Sequence, residues 1–350
     1  MQERAEAAGA GAHAAREGFR AEGGAAALAG VPGVVGVTLG GSRARGVHRP
    51  DSDWDLGVYY RGDVDLAALA DLAAEVTGAP VEIHPPGAWG AWVNGGAWLV
   101  LPDGSHVDWL LRDTGRVERV WRDCRAGRFE IGAQVGHPLG FWSPAYAGEL
   151  ALSRVLADPT GDLGRLKEEM REYPEPLRAA LTGTAVWDAG FSVAMAGKSH
   201  AAADTLHAAL CLARAVGDLT QALHAHHRTW CINEKGALAA AAALPGTPPG
   251  FAERARACRQ IPVVRPEGGP RGVWCVRSQG GGSSRYWVYL EGPDNAASVR
   301  ARRRAAGGNL TTGPSAPLGE MGRTGPELAR SLEAAELLVA DVRAVVESDG

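Results

Sequence analysis

Apolar and polar positions follow two rhythms along this chain, one in the first ~140 residues and another after them. Val34-Val35-Gly36-Val37-Thr38-Leu39 is β-branched and apolar and reads as a buried strand ended by Gly40-Gly41. Ser42-Arg43-Ala44-Arg45 suits a short helix start. Asp53 to Tyr60 reads as a second strand, and Asp63 to Val76 as a helix with Leu66, Leu69, Leu72 and Val76 on one face. Val81-Glu82-Ile83 suits a short strand. Trp98–Leu101, the turn Pro102-Asp103-Gly104 and His106–Leu111 suit a hairpin, followed by a helix over Thr114–Arg125.

From Pro144 onward the period becomes helical. The expected helices are Pro144–Ala157, Asp162–Tyr173, Glu175–Ala196 and Lys198–Ala225, the last with Leu206, Leu210, Ala213, Val216, Leu219 and Leu223 at helical spacing. Pro326–Val346 carries another regular apolar face. An Ala-rich helix is expected over roughly the first twenty residues, broken at Gly23-Gly24. The pattern predicts an α+β protein: a mixed-sheet domain over 1–140, a helical bundle over 141–258, and a C-terminal helix over 326–350 that docks on the bundle. Residues 259–325 hold thirteen glycines and ten arginines against four acids, with no period, and read as a disordered insertion.

Composition narrows the function classes. A net charge of -4 over 350 residues gives no overall pull toward nucleic acid or anionic lipid. No apolar run is long enough to span a bilayer, and the polar N-terminus lacks a signal-peptide core, so a cytoplasmic protein is expected. Five scattered cysteines without a C-x-x-C pair argue against a disulfide framework or a cysteine zinc site.

The candidate chemistry sits between Leu39 and Tyr60. Asp53 and Asp55 are two apart at the start of a strand, so their carboxylates share a face. Two adjacent carboxylates repel, and the pair is costly unless a cation lies between them. Oxygen ligands of this kind suit Mg²⁺, which combines one or two carboxylates with substrate phosphates. The glycines of Gly40-Gly41-Ser42 let the backbone approach an anion. Asp108 is a lone acid in the apolar run Val107-Asp108-Trp109-Leu110-Leu111, and joins the pair if its strand lies alongside.

The order Gly40-Gly41-Ser42, Asp53-x-Asp55 and a later Asp108 resembles the nucleotidyltransferase superfamily that includes DNA polymerase beta. Bacterial aminoglycoside nucleotidyltransferase-like proteins are the nearer likeness. The resemblance covers residues 34–112. It implies that Gly41 and Ser42 hold the nucleotide's β- and γ-phosphates. It implies that Asp53 and Asp55 bind two Mg²⁺ ions, and that Asp108 binds the catalytic one and helps deprotonate an acceptor hydroxyl. The implied activity is transfer of NMP, AMP from ATP, to a small-molecule or protein acceptor with release of pyrophosphate. A catalytically silent nucleotide-binding sensor and an RNA-end nucleotidyltransferase are the alternatives. Nucleic acid is a disfavoured partner, because the ordered part lacks a long basic groove.

Secondary candidates follow. Arg43 and Arg45 suit phosphate neutralisation or a solvated helix face. Of three lysines, Lys235 in TWCINEKG and Lys198 are candidates for the triphosphate, against an ordinary surface role. His224 and His227 lie three apart, a weak metal motif more simply read as charge at a helix end. Trp89, Trp92 and Trp98 suit an acceptor or base-stacking pocket, or ordinary packing.

Overall fold

The computed structural model describes residues 21–202, 204–258 and 325–348. The chain divides into two compact units, 1–260 with 329–350 and 261–328, and the description concerns the first. The helix expected over the first twenty residues and almost all of 259–325 lie outside the described residues.

The protein is α+β. Its sheet has the order β3-β4-β2-β1-β7, built from β1 (Val34–Leu39), β2 (Trp54–Tyr60), β3 (Gly96–Val100), β4 (His106–Asp113) and β7 (Arg154–Ala157). β2 and β4 run parallel and the other pairings are antiparallel. Helices α1 (Ala21–Ala29) and α3 (Leu66–Thr77) accompany one face of this sheet. Leu28, Val37, Leu39, Leu56, Val58, Leu69, Val107, Trp109 and Leu111 form the core there. Asp65 caps α3 by accepting from the Ala68 N–H at 3.0 Å, and Gly78 ends it with φ +76°.

The alternate strand positions, Thr38, Asp55, Gly57, Tyr59, Trp98, Asp108 and Arg112, project from the opposite face. Gly36 is needed there, since a Cβ would overlap the Leu163 side chain of α6 (Asp162–Glu169).

Several expectations need correction. α1 runs through Gly23-Gly24 rather than breaking there. Val81–Ile83 forms no strand, and the stretch contributes only an isolated bridge between His84 and Gly96. The expected helix Pro144–Ala157 is α5 (Ala145–Leu152) followed by β7, which pairs with β1, so the sheet draws an edge strand from beyond residue 140. A second sheet, β5 (Ile131–Gln134) with β6 (His137–Trp142), went unpredicted.

The long helices are α7 (Glu175–Ala201) and α8 (Thr205–His226), preceded by α4 (Thr114–Arg125) and followed by α9 (Ala237–Ala242), α10 (Phe251–Ala257) and α11 (Gly325–Glu347). α7 and α8 pack on each other, and their buried residues include Ala185, Ala189 and Ala196 on one and Ala208, Leu212, Ala215 and Leu219 on the other. Leu206 and Leu210, expected inside, are exposed. Close helix approach favours the small alanine side chains. α11 meets the bundle through an Arg254–Asp341 ion pair at 2.7 Å.

Candidate active site

The sheet register brings the two best acids together. Asp55 lies directly opposite Asp108 across the parallel β2–β4 pair. Asp53 is exposed at the residue before β2, and its charge acts on both. Burial pushes the Asp55 carboxyl above its usual range, and the charges of Glu149 and Asp53 push it further; Lys235 and Arg45 oppose them. Burial likewise raises Asp108, to about 6, with Asp55 and Asp53 adding to the shift and His106 opposing it. This is a mutually repelling set of carboxylates.

The glycine turn lies against the same acids. The Gly40 N–H donates to the Asp55 carbonyl at 2.7 Å. Gly41 has φ +61°, and a Cβ there would overlap Asp55 Oδ2. Only glycine both adopts that backbone and lets the carboxylate approach so closely. Ser42 follows in the single-turn helix α2 (Gly41–Ala44), half-buried.

Arg43 is engaged otherwise than expected. Its guanidinium donates to the carbonyls of Ser52 (2.6 Å) and Asp53 (3.2 Å), and lies 4.0 Å from the centre of the Trp54 ring. It fastens the loop that presents Asp53, a positioning role. Arg45 Nε donates to the Gly41 carbonyl at 3.1 Å.

Lys235 is exposed and within electrostatic reach of Asp55. The segment leading to it packs on α5. A Cβ on Gly148 would crowd the Trp230 and Ile232 side chains, and Glu234 accepts from the Leu139 N–H and pairs with His137 at 3.0 Å. Lys198 is exposed near the end of α7 and does not figure among the charges acting on Asp55 or Asp108.

The expected charged histidine end is corrected for His224. It is buried, bonded to Thr229 Oγ1 (2.9 Å) and the Ala237 carbonyl (3.2 Å), and burial lowers its pKa.

Two neighbours of the acids escaped the sequence reading. Arg112, buried on β4, forms a two-pronged pair with Glu149 of α5, at 2.6 and 2.8 Å, and donates to the Val93 carbonyl. Glu149 in turn places a negative charge near Asp55. An arginine four residues after Asp108, on the same strand face, was the available signal.

Residues 27–90 match the model of a nucleotidyltransferase domain. This stretch is therefore similar to a nucleotidyltransferase domain. The match covers the glycine turn and the Asp53/Asp55 pair, and stops before Asp108. Residues 148–235 match a domain of unknown function, DUF4037, whose limits enclose Glu149 and Lys235. Among solved structures, a nucleotidyltransferase-like protein from Exiguobacterium sibiricum aligns over 91% of this chain and 72% of its own, at 10% identity and a TM-score of 0.39. No curated protein matches the sequence.

A nucleotidyltransferase calls for a divalent cation, and the residues can be tested for it. Among the described residues no group of three or more His, Cys, Asp and Glu side chains makes a ready-made cage. Mg²⁺ does not require one, since it is held by one or two carboxylates with substrate phosphates and waters. The hard oxygen donors, the facing Asp55/Asp108 register and a repulsion that Lys235, Arg45 and His106 offset only in part fit such an ion.

Proposed function

We propose that the chain is a Mg²⁺-dependent nucleotidyltransferase that moves AMP from ATP to a hydroxyl of an acceptor. The observation that carries this reading is the pairing of Asp55 with Asp108 in register, with Gly41 pressed against the Asp55 carboxylate. Asp53, Asp55 and Asp108 would hold the metal. When bound, Mg²⁺ neutralises phosphate charge and makes the acceptor hydroxyl more acidic.

The chain's own residues do the rest. The turn offers the backbone N–H groups of Gly41 and Ser42 and the Ser42 hydroxyl to the triphosphate. Lys235 and Arg45 supply positive charge on the Asp55 side. Asp108 accepts the proton of the acceptor hydroxyl as its oxygen bonds to the α-phosphorus. The bond to the bridging oxygen breaks and pyrophosphate leaves with the electron pair. Arg112 fixes Glu149 behind the acids and keeps α5 registered on β4.

The test is pyrophosphate release from each of the four ribonucleoside triphosphates with Mg²⁺ and a mixed pool of hydroxyl acceptors. Turnover that favours ATP and disappears in Asp55→Asn supports the reading. Tight nucleotide binding without turnover in any pool supports a silent binding module instead.

A further inference from the structure

The acids occupy only the middle of their sheet face. On one side, next to β2, stand β1 and the glycine turn. On the other side is the edge strand β3, where Trp98 lies directly opposite Asp108. Directly opposed residues of an antiparallel pair project from the same face about 5 Å apart. The neighbours Ala97 and Leu99 turn into the core, so Trp98 turns out beside Asp108, with 59% of its surface exposed.

Trp98 does not stand alone. Trp89 stacks on it, with ring centres 4.2 Å apart and 17° between planes, and His84 leans on both at 5.4 Å. The loop carrying Trp89 is fixed in advance. Gln134 of β5 accepts from the N–H groups of Trp92 and Val93 and donates to the Trp89 carbonyl, and Asn94 accepts from the Gly87 N–H and donates to Tyr60 Oη. A cavity of about 1090 Å³ opens over this stack, walled also by Ile131, Pro138, Leu139 and Arg214. Among the described residues Arg214 is the one formally charged residue of its lining; Asp108 adjoins the cavity through its neighbour Trp98 rather than lining it. Trp98 packs one ring face on Trp89 and still leaves more than half of its surface open beside an acid, in a cavity of small-molecule size, which suits a ring-binding surface.

We infer that this Trp89–Trp98 cavity is the acceptor site, and that the acceptor is a hydroxyl-bearing compound without multiple positive charges whose flat ring stacks on Trp98. The assignment of an acceptor rests on the nucleotidyltransferase reading; the ring site itself does not. In-line transfer places the acceptor across the α-phosphorus from the departing pyrophosphate. With the triphosphate turn on the β1 side of the acids, the β3 side is where the attacking hydroxyl must come from. The flat ring is either aromatic or a sugar, since both offer a broad apolar face. The wall of the ring cavity itself, away from Asp108, carries Arg214 and no carboxylate among the described residues, which opposes a polycationic acceptor.

Calorimetric titration of the full chain with phenyl β-D-glucoside, which carries both rings, tests this. Methyl β-D-glucoside and benzyl alcohol separate the sugar from the aromatic source, and kanamycin supplies the polycation. A Mg²⁺ complex of a non-hydrolysable ATP analogue is titrated in parallel. The expected result is ring-probe binding that weakens at least tenfold in Trp98→Ala and recovers in Trp98→Phe, with nucleotide affinity changed less than twofold and kanamycin bound more weakly than the ring probe. Asp55→Asn is expected to do the reverse, losing nucleotide and keeping the ring. A tenfold loss of nucleotide affinity in Trp98→Ala would give the stack to the nucleobase and overturn the inference. So would ring binding indifferent to Trp98, no ring binding at all, or a preference for kanamycin. Trp98-dependent ring binding in a protein that binds no nucleotide would overturn the transferase reading, and with it the acceptor role, while leaving the ring site standing.

Discussion

Two groups of charges share one strand face, four residues apart, and they are treated in opposite ways. Arg112 is buried, and its guanidinium is answered by both oxygens of Glu149 and by backbone carbonyls. Asp108 and Asp55 are half-buried and face each other, with burial and like charge both driving their pKa values up. The first group is complete within the protein and holds α5 on the sheet. The second is incomplete, and incompleteness of this kind points to a ligand that supplies the missing positive charge. A charge that the fold has already satisfied speaks of architecture; one left unsatisfied next to a glycine turn speaks of chemistry.

The contrast can be broken at either group. The largest effect is expected on activity. Asp108→Asn should lower pyrophosphate release roughly 10³-fold, while its thermal midpoint without metal stays level or rises, because a repelling charge has been removed. A parallel loss of fold would place Asp108 with the structural charges. Arg112→Ala should behave in the opposite manner, costing about 3 kcal/mol in denaturant unfolding because Glu149 is left without its partner. Gly41→Ala should come next, with a roughly 10²-fold drop in turnover as the new Cβ displaces the Asp55 carboxylate, a loss near 2.7 kcal/mol in the transition state.

The smallest effect concerns Asp218 of α8, buried with no hydrogen bond to either oxygen and with Arg214 3.5 Å away. Burial pushes its carboxyl up to about 7, with Asp188 adding to the shift and Arg214 opposing it. The folded state therefore holds a proton that the unfolded state has already released above the usual carboxylate range. Stability should fall as pH rises from about 4 to 7, and stay at the lower level above that. Asp218→Asn should remove this dependence, raising stability at pH 8 and leaving it unchanged near pH 4. Melting curves across that range check it. An equal change at both ends would contradict the assignment.

Much of this was legible along the chain. The strands β2 and β4 are largely apolar runs in which Asp55 and Asp108 stand out, and the residues of the turn and the acid pair lie within sixteen positions of one another, Gly40 to Asp55. Local spacing therefore carried them. What escaped depends on contacts across the fold. β7 is four residues long and acquires its identity only by pairing with β1. The Arg112–Glu149 pair joins positions 37 apart, and neither residue type alone signals burial. On α8 the expected positions Val216, Leu219 and Leu223 are buried, but at its start Leu206 and Leu210 are exposed and Ala208 and Leu212 turn inward instead. Tight pairing with α7 selects small side chains, and periodicity weighs only hydrophobicity. Trp98 shows the reverse case. Its place in a hairpin was evident, but its partnership with Asp108 required the β3–β4 register.

The central claim is that Asp55 and Asp108 form one cation-dependent nucleotide site. The most direct measurement is the thermal midpoint of wild type, Asp55→Asn and Asp108→Asn with a non-hydrolysable ATP analogue, titrated with Mg²⁺. Wild type should gain stability with rising Mg²⁺ only when nucleotide is present, and both variants should lose that gain. An undiminished Mg²⁺-dependent gain in either variant would contradict the claim.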